Sequence, residues 1–348
     1  MSENNQTRLE TYLLSIDEAT WLYELDRLIP SIHAVDRDAV QIWFRFNSLA
    51  LFEYLRSAED MEQAEKGVAL QGTFGLEDRI DSSHAFLYGH RYWPLVKAAV
   101  EAEAQVFDGS AVSLGDEIGQ IAAMVAEKAG AGRSLLLGIT AVGLMTLRQV
   151  GLAMFKAGSG EMLKPTGLMT KSPDAVVKIR ETDDSQGVFG FLKTINKKFS
   201  VVYNEARGGK FSIINDQEVA SASGNDRSQN WQAKDERCWE GPIPVECVSA
   251  SCGTCWVGVL GGKEKLTPVS RRESRAMKVF GYNQPDEEHP FVRLACQARA
   301  SGNVTIVIPP WNGVFGKKVY GNVEDLELEP VTTSAKALRE AVKEAISE

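Results

Sequence analysis

The chain has 348 residues, of which 44% are hydrophobic and 24% are charged. This composition is typical of ordinary globular proteins, and the length allows two or three domains with cores of their own. The net charge of −9 is concentrated in residues 1–175. An acidic first half argues against nucleic acid or an anionic lipid surface as its direct partner.

The chain opens on the polar, acidic segment MSENNQTRLE, which has neither a basic region nor an apolar region of a secretory signal. The predicted localisation is therefore cytoplasmic. The longest apolar run, at residues 135–147, is shorter than a bilayer-spanning helix and predicts a buried core helix. The alternative is that residues 135–155 contact a membrane or a membrane complex from its surface.

The first part of the chain shows helical periodicity and no alternating strand pattern. It predicts an all-helical domain over residues 1–155 that serves docking or anchoring. The predicted helices cover residues 7–28, a long segment from Asp36 through Leu55, a segment from Asp81 or Ser82 through Tyr88, and residues 95–107, 118–128 and 134–155.

The second part changes to a strand pattern after a Gly-, Ser- and Pro-rich linker and lead-in segment over residues 156–196. A domain follows at residues 197–330, and an amphipathic helix closes the chain at 331–348. The predicted elements of the domain are a hairpin at 199–205 and 210–214, a short helix at 228–239, a strand at 255–260, a helix at 269–280 and a strand at 304–309.

Five cysteines lie within sixty residues of one another, and none precedes Cys238. Four of them follow the spacing Cys247-x4-Cys252-x2-Cys255, with Cys296 well downstream. Soft, anionic thiolates at this spacing suit an iron–sulfur cluster, which one loop can surround while the fourth ligand closes from another strand. Gly253 and its small neighbours leave backbone N–H groups able to point at sulfur.

Residues from about 197 to 315 resemble the plant- and mammalian-type [2Fe–2S] ferredoxins. The resemblance rests on the hairpin, on CVSASCGTC at 247–255 and on RLACQARASGNVTIVIP at 293–309. It implies an α + (α+β) chain, in which the helical domain precedes a β-grasp domain that binds a [2Fe–2S] cluster. By the same resemblance, Cys247 and Cys252 hold one iron, and Cys255 and Cys296 hold the other.

The chain departs from the ferredoxin pattern in three ways. The segment before the cysteine loop is longer than in that pattern. The gap between Cys255 and Cys296 is long enough for the helix at 269–280, and the domain is neutral rather than strongly acidic. These departures keep the ligands but leave the docking surface undefined.

Several of these residues also allow other interpretations. Four cysteines can hold zinc, although zinc sites usually use two paired knuckles. Cys238 is interpreted as a buried or spare thiol. His84 and His90 are six residues apart, so we expect ordinary surface or hydrogen-bonding roles for them. The charges at Asp235, Glu236 and Arg237 predict a solvated helix face.

The predicted function is one-electron transfer by a subunit of a larger redox complex, with redox proteins as partners. A non-catalytic electron carrier is favoured over an enzyme, because neither a nucleotide-binding motif nor a second set of cluster ligands is visible in the sequence. The first alternative is an interaction or scaffold subunit with a structural or redox-sensing cluster. In the second, the helical domain is itself catalytic and receives electrons from the cluster.

Overall fold

The computed structural model describes residues 6–109, 113–182, 184, 196–281, 287–321, 323, 326–328, 338, 341–342 and 344–345. The backbone divides into two compact units, which comprise residues 1–52 with 75–177 and residues 53–74 with 178–348. The second unit thus takes a segment from the early part of the chain. The domain limits predicted from the sequence place residues 53–74 in the first domain instead, because helical periodicity does not reveal which core a helix joins.

The first unit is helical over its described residues. Its helices are α1 (Arg8–Ser15), α2 (Glu18–Leu28), α3 (Ala34–Phe46), the first half of α4 (Leu49–Arg56), α6 (Trp93–Val106), α7 (Leu114–Ala129), α8 (Ser134–Ala157) and the first part of α9 (Pro173–Arg180). Helix α8 packs against α1, α3, α6 and α7 and is the centre of the core.

Two predicted helices are each divided into two shorter ones. The first breaks at Asp17, whose side chain caps α2 by accepting a hydrogen bond from the Thr20 N–H at 2.8 Å. The second breaks at Asn47, where α3 ends before α4 begins at Leu49. Asp and Asn compete for backbone hydrogen bonds, which makes them good helix ends and poor helix interiors. Hydrophobic periodicity continues through such breaks and does not show them.

Helix α8 has the length and mean hydropathy, 1.6, of a membrane-spanning helix, and 78% of its apolar window is buried inside the protein. This burial agrees with the predicted core helix. The helix bends at Gly151, whose φ of 76° lies outside the helical region. Glu10 accepts a hydrogen bond from the freed Leu152 N–H at 2.8 Å, so the bend leaves this donor satisfied.

The predicted helix around His84 is replaced by turns and a 3-10 helix at Tyr88–Tyr92. This path brings the buried rings of His84 and His90 together, with their Nδ1 atoms 2.9 Å apart. The Leu163 N–H donates to His90 Nε2, so the proton of a neutral His90 lies on Nδ1 and is donated to His84. His84 in turn donates from Nε2 to the Ile80 carbonyl at 3.2 Å. The expected surface role of these histidines is wrong, and the hydrogen-bonding role is confirmed.

The predicted linker is partly structured. Met169 and Val176 are buried against Val35 and Tyr88. Next along the chain, Arg180 at the end of α9 forms a buried ion pair with Glu205 inside the second unit. Gly and Pro in this stretch mark turns but do not prevent packing of the apolar residues between them.

The second unit is built on a five-stranded sheet. Its strands are β2 (Lys198–Asn204), β3 (Gly209–Ile214), β5 (Trp256–Gly261), β6 (Val292–Leu294) and β8 (Val304–Val307), in the order β3-β2-β8-β5-β6. Strand β2 is parallel to β8, and every other neighbouring pair is antiparallel. The predicted hairpin and the two predicted strands are confirmed.

Shorter elements complete the second unit. They are α5 (Met61–Gly67), α10 (Val219–Ser223), α11 (Arg271–Phe280), α12 (Gly316–Tyr320), and the short strands β1 (Gln71–Gly72), β4 (Gln217–Glu218), β7 (Arg299–Ala300) and β9 (Trp311–Asn312). Strand β1 pairs with β9, and β4 pairs with β7. The predicted helix at 269–280 is confirmed as α11. Most of the predicted helix at 331–348 lies outside the described residues.

The predicted helix at residues 228–239 is wrong, because the segment forms turns. Arg237 is buried rather than solvated: it forms an ion pair with Asp235 and donates hydrogen bonds to Asn312 Oδ1 and to the Pro309 carbonyl. A charge whose partners come from distant segments looks like a surface residue in the sequence alone.

The histidine pair predicts a loss of stability in acid. Burial lowers the pKa of His84 well below its usual value and lowers the pKa of His90 to about 4. The unfolded chain binds protons near pH 6.5, so the free energy of unfolding falls as the pH drops from 6.5 through 4, by about 3 kcal/mol for His90. We expect His90→Gln to flatten this dependence in urea unfolding followed by far-UV circular dichroism.

A matched control is His289→Gln, which removes a partly exposed histidine of the second unit. At each pH, the parent's free energy of unfolding is subtracted from that of each variant, which cancels the contributions of the other titrating groups. Parallel pH profiles for the parent and His90→Gln would contradict the lowered pKa of the buried His90.

Candidate functional site

The four cysteines of the motif lie together at one end of the sheet. Cys255 directly precedes β5, and Cys296 follows β6. The two strands pair with Trp256 opposite Leu294, and the Ala295 N–H donates to the Cys255 carbonyl at 2.9 Å. Antiparallel pairing therefore brings together two thiols that are far apart in the sequence.

The loop that carries Cys247 and Cys252 depends on unusual backbone at two positions. Ala250 and Gly253 both have positive φ, 57° and 66°. A side chain at Gly253 would meet Val314, because a Cβ there would lie 2.8 Å from Val314 Cγ2. Glycine at this position permits both the turn and the close packing of the loop.

The thiols form two hydrogen-bonded pairs, Cys247 with Cys252 and Cys255 with Cys296. The hydrogen bond from Cys252 lowers the pKa of Cys247 to about 5, and the same bond raises the pKa of Cys252. In the second pair, the hydrogen bond and burial raise the pKa of Cys255, while the hydrogen bond from Cys255 lowers the pKa of Cys296. In each pair, the shared hydrogen bond thus lowers the pKa of one thiol and raises the pKa of the other.

Backbone N–H groups point at the sulfur atoms, as the small residues of the loop predict. Ser249 and Ser251 donate to Cys247, and Ala250 donates to Cys296. These donors favour thiolate over thiol at both sulfurs. The loop is therefore arranged to hold negative charge on sulfur before any metal is bound.

Two side chains near the sulfurs were not identified from the sequence. Thr254 Oγ1 lies 3.1 Å from Cys252 Sγ, and it also accepts a hydrogen bond from the Glu246 N–H. The Gln297 amide donates to Cys296 Sγ at 3.5 Å and to the Val248 carbonyl at 3.3 Å. Gln297 thus joins the loop to the segment that carries Cys296. Their positions next to motif cysteines could have indicated these contacts from the sequence alone.

Burial differs among the five cysteines. Cys252 is partly exposed, and the other motif cysteines are buried. Val248, next to Cys247, exposes 42% of its surface. The site therefore has one edge near solvent, which electron exchange with another protein requires.

Cys238 takes no part in the two pairs. It is buried, its Sγ donates to the Pro242 carbonyl at 3.3 Å, and burial raises its pKa to about 12. These properties agree with the predicted buried thiol and leave Cys238 protonated.

The arrangement of donors fits two metal ions better than one. A structural zinc ion needs four ligands around one point. A [2Fe–2S] cluster takes two thiolates at each of its two irons. Two thiol pairs match the second requirement.

Residues 215–301 match the family model described as 2Fe-2S iron-sulfur cluster binding domain. This part of the chain is a [2Fe–2S] cluster-binding domain. The hairpin β2–β3 precedes the matched residues and β8 follows them, and the structure shows that these strands complete the sheet of the cluster-binding domain. No family model matches the N-terminal part, and no curated protein or solved structure matches the chain.

A buried ion pair supports the cluster-binding domain from within. Arg293, three residues before Cys296, forms two hydrogen bonds with Glu273 of α11, at 2.9 and 2.8 Å. Both side chains are almost fully buried, with 1% and 0% exposed. Glu273 also accepts from the Leu294 N–H. Helix α11 is thereby attached to the strand that leads to Cys296.

Removal of one partner of this pair should destabilise the domain. Glu273→Gln leaves the Arg293 charge buried without a counter-charge, which costs about 3–5 kcal/mol. We expect the cluster-loaded variant to unfold at lower urea concentration, measured by loss of visible absorption. The control Glu264→Gln neutralises an exposed carboxylate of the same domain. Equal midpoints for the two variants would show that the pair adds nothing to stability.

Proposed function

We propose that this protein transfers single electrons through a [2Fe–2S] cluster held by Cys247, Cys252, Cys255 and Cys296, as a subunit of a larger redox complex. The cluster-binding domain supports an electron-transfer role. The observation that carries the proposal is the arrangement of the four thiols in two adjacent pairs. Cys247 and Cys252 take one iron, and Cys255 and Cys296 take the other.

The sheet supports assignment of the domain to the β-grasp fold. The assignment rests on three features of the sheet. The sheet opens with an antiparallel hairpin, its last strand β8 is parallel to its first strand β2, and its strand order is β3-β2-β8-β5-β6. This order places β5 and β6 at the edge away from the hairpin.

When bound, the cluster accepts one electron and passes one electron on, and no covalent bond to a substrate is formed or broken. The chain contributes the environment. Its thiolates hold the irons, and backbone and side-chain donors at sulfur favour the more negative, reduced state. Burial of three cysteines restricts water, and the exposed edge at Cys252 admits a partner.

We further propose that the first unit anchors the cluster domain to its complex. A soluble carrier needs only the second unit, and the first unit presents large exposed apolar side chains at Tyr23, Val106 and Met124. The burial of α8 favours them over residues 135–155 as contact residues. Five free cysteines agree with a reducing, cytoplasmic compartment.

The ligand assignment predicts a clear difference among cysteine variants. Serine at Cys247, Cys252, Cys255 or Cys296 replaces a soft thiolate with a poor iron ligand, so we expect loss of most bound iron and sulfide. Cys238→Ser is the matched control and should retain two irons and two sulfides per chain. The measurement is metal and sulfide analysis with EPR of dithionite-reduced protein.

Two outcomes would reject the proposal. One is stoichiometric zinc without an EPR signal in the parent protein, which indicates a structural metal site. The other is full cluster content in one of the four variants, which removes that cysteine from the ligand set.

Gln297 should influence the reduction potential. Its amide donates to Cys296 Sγ, and a donor at sulfur stabilises the reduced cluster more than the oxidised one. We expect Gln297→Leu to shift the potential to a more negative value in an EPR-monitored redox titration. Gln229→Leu serves as the control, because Gln229 lies outside the cysteine loop. An unchanged potential in Gln297→Leu would remove this residue from the cluster environment.

A further inference from the structure

A pocket of about 390 Å³ lies beside the cysteine loop, within the second unit. Its volume falls in the range of about 300–1,000 Å³ that is usual for sites that bind small molecules. One wall is helix α10 with the turn that follows it, and the other wall is the segment that leads to Cys247. The apolar side chains of the lining are Ala220, Trp239, Ile243, Val245 and Val248.

The two walls are attached to each other without the help of an occupant. The Ile243 N–H donates to Ser223 Oγ at 3.1 Å, and Ser223 is fully buried. Gly241 lies so close to the same residue that a Cβ there would overlap the Ser223 carbonyl oxygen. Glycine permits this approach because it has no side chain. The pocket is therefore formed in advance, which lowers the entropy that binding of a ligand costs.

The lining favours a flat and largely apolar ligand. An indole ring and branched aliphatic side chains, as at Trp239 and Ile243, bury apolar surface well and offer few polar partners. Val248 exposes 42% of its surface, so it retains apolar area that a ligand can cover. Covering that area removes it from water, which favours binding.

Arg227 supplies hydrogen-bond donors to the pocket. Its Nη1 donates to the Gly224 carbonyl at 2.5 Å and to the Glu240 carbonyl at 2.7 Å, so the guanidinium bridges the two walls. In the described part of the chain, no hydrogen bond involves its Nε or Nη2 atom. These two nitrogens are therefore available to an acceptor oxygen on a ligand.

The pocket adjoins the cysteines directly. Val248 lines it and follows Cys247 in the chain. The Val248 carbonyl accepts a hydrogen bond from the Gln297 amide, which also donates to Cys296 Sγ. A molecule in the pocket thus contacts the neighbour of a cysteine in one thiol pair, and that neighbour is linked to the other pair. This position gives a redox-active ligand a short route for electrons.

We propose that the pocket binds an uncharged quinone, which exchanges one electron with the cluster. The proposal rests on the proposed function and names the chemical class of an electron donor or acceptor. As an acceptor, the quinone takes one electron and becomes its radical anion, while the cluster is oxidised by one electron. No bond to the protein forms or breaks. A quinone oxygen accepts from Arg227, and the guanidinium stabilises the negative charge that this oxygen gains.

Cofactors that contain phosphate suit the pocket less well. Anions bind at the amino ends of helices, whereas the pocket contains the carboxyl end of α10 at Gly224. Among the residues that line the pocket, all of them within the described ranges, Arg227 alone is basic. Several phosphate groups would thus lack counter-charge. A quinone meets no such obstacle, because it is uncharged when it binds.

The test uses full-length protein with its cluster, checked for its EPR signal and its iron and sulfide content. Duroquinone is the redox probe, because its methyl groups prevent addition of thiols to the ring. Chromone, a flat aromatic ketone that accepts no electron from the cluster, is the binding probe. We expect chromone to bind oxidised protein at a single saturable site in calorimetry. Oxidation of reduced protein by duroquinone should saturate in stopped-flow absorption, and chromone should inhibit it competitively.

Two variants change the pocket. Ser221→Trp places a large ring at an exposed position of the lining, so we expect loss of chromone binding and of saturation by duroquinone. Arg227→Gln removes a charged donor, and both probes should bind about tenfold more weakly. Hexaamminecobalt(III) needs no pocket, so at high salt its rate should stay within about twofold of the parent rate in both variants.

The matched controls are Ser212→Trp and Arg207→Gln, which make the same changes at exposed positions of the β2–β3 hairpin. Both should bind chromone and react with duroquinone as the parent does. Equal loss of binding in Ser221→Trp and Ser212→Trp, or unchanged binding in Ser221→Trp, would overturn the proposal.

The class of ligand is tested by competition. ATP should not displace chromone, and displacement by ATP would overturn the assignment to a quinone. A duroquinone rate that rises linearly with concentration, together with no binding of chromone, would also overturn the proposal. The pocket would then be left to a side chain of a partner protein.

The two proposals fail in distinguishable ways. Absence of a [2Fe–2S] signal in the parent protein rejects the proposed function, whether or not chromone binds. A normal signal without saturable binding of either probe rejects the quinone site alone.

Discussion

The pairing of β5 with β6 is the constraint on which the rest of the site depends. It places Cys296 beside Cys255, although α11 and its connections lie between them in the chain. The Arg293–Glu273 ion pair holds α11 against the same strand and so maintains this register. A shift of β6 by one residue would turn its side chains to the other face and separate the thiols.

Beside these paired strands, the loop between Cys247 and Cys255 takes a backbone that is otherwise unfavourable. Ala250 and Gly253 have positive φ, and the N–H groups of the loop turn toward sulfur. A loop that is already shaped for thiolates loses little entropy when a cluster binds. The Gln297 amide joins this loop to the segment of Cys296 and so links the two halves of the site.

The second unit contains more than the strands and the loop that carry the four cysteines. Residues 53–74 belong to it, and β1 pairs with β9 just before Val314, which packs on the cysteine loop. Residues 53–74 therefore pair with the segment that carries Val314, and Val314 in turn packs against the cysteine loop. The first unit has its own core around α8 and its own hydrogen-bonded histidine pair. The chain thus combines a cluster-binding unit with a helical unit that the proposed function assigns to anchoring.

The sequence by itself determined the cofactor class, the four thiols that lie together and most strands of the sheet, because ligand spacing and alternating hydrophobicity are local patterns. It did not determine the helix breaks at Asp17 and Asn47, the burial of Arg237 or the contact between His84 and His90. It also did not show that residues 53–74 join the second unit. Each of these depends on partners far away in the chain, and local hydrophobic periodicity is the same whichever partner is present. Only the tertiary structure, in which those distant groups satisfy each other's hydrogen bonds and charges, decided them.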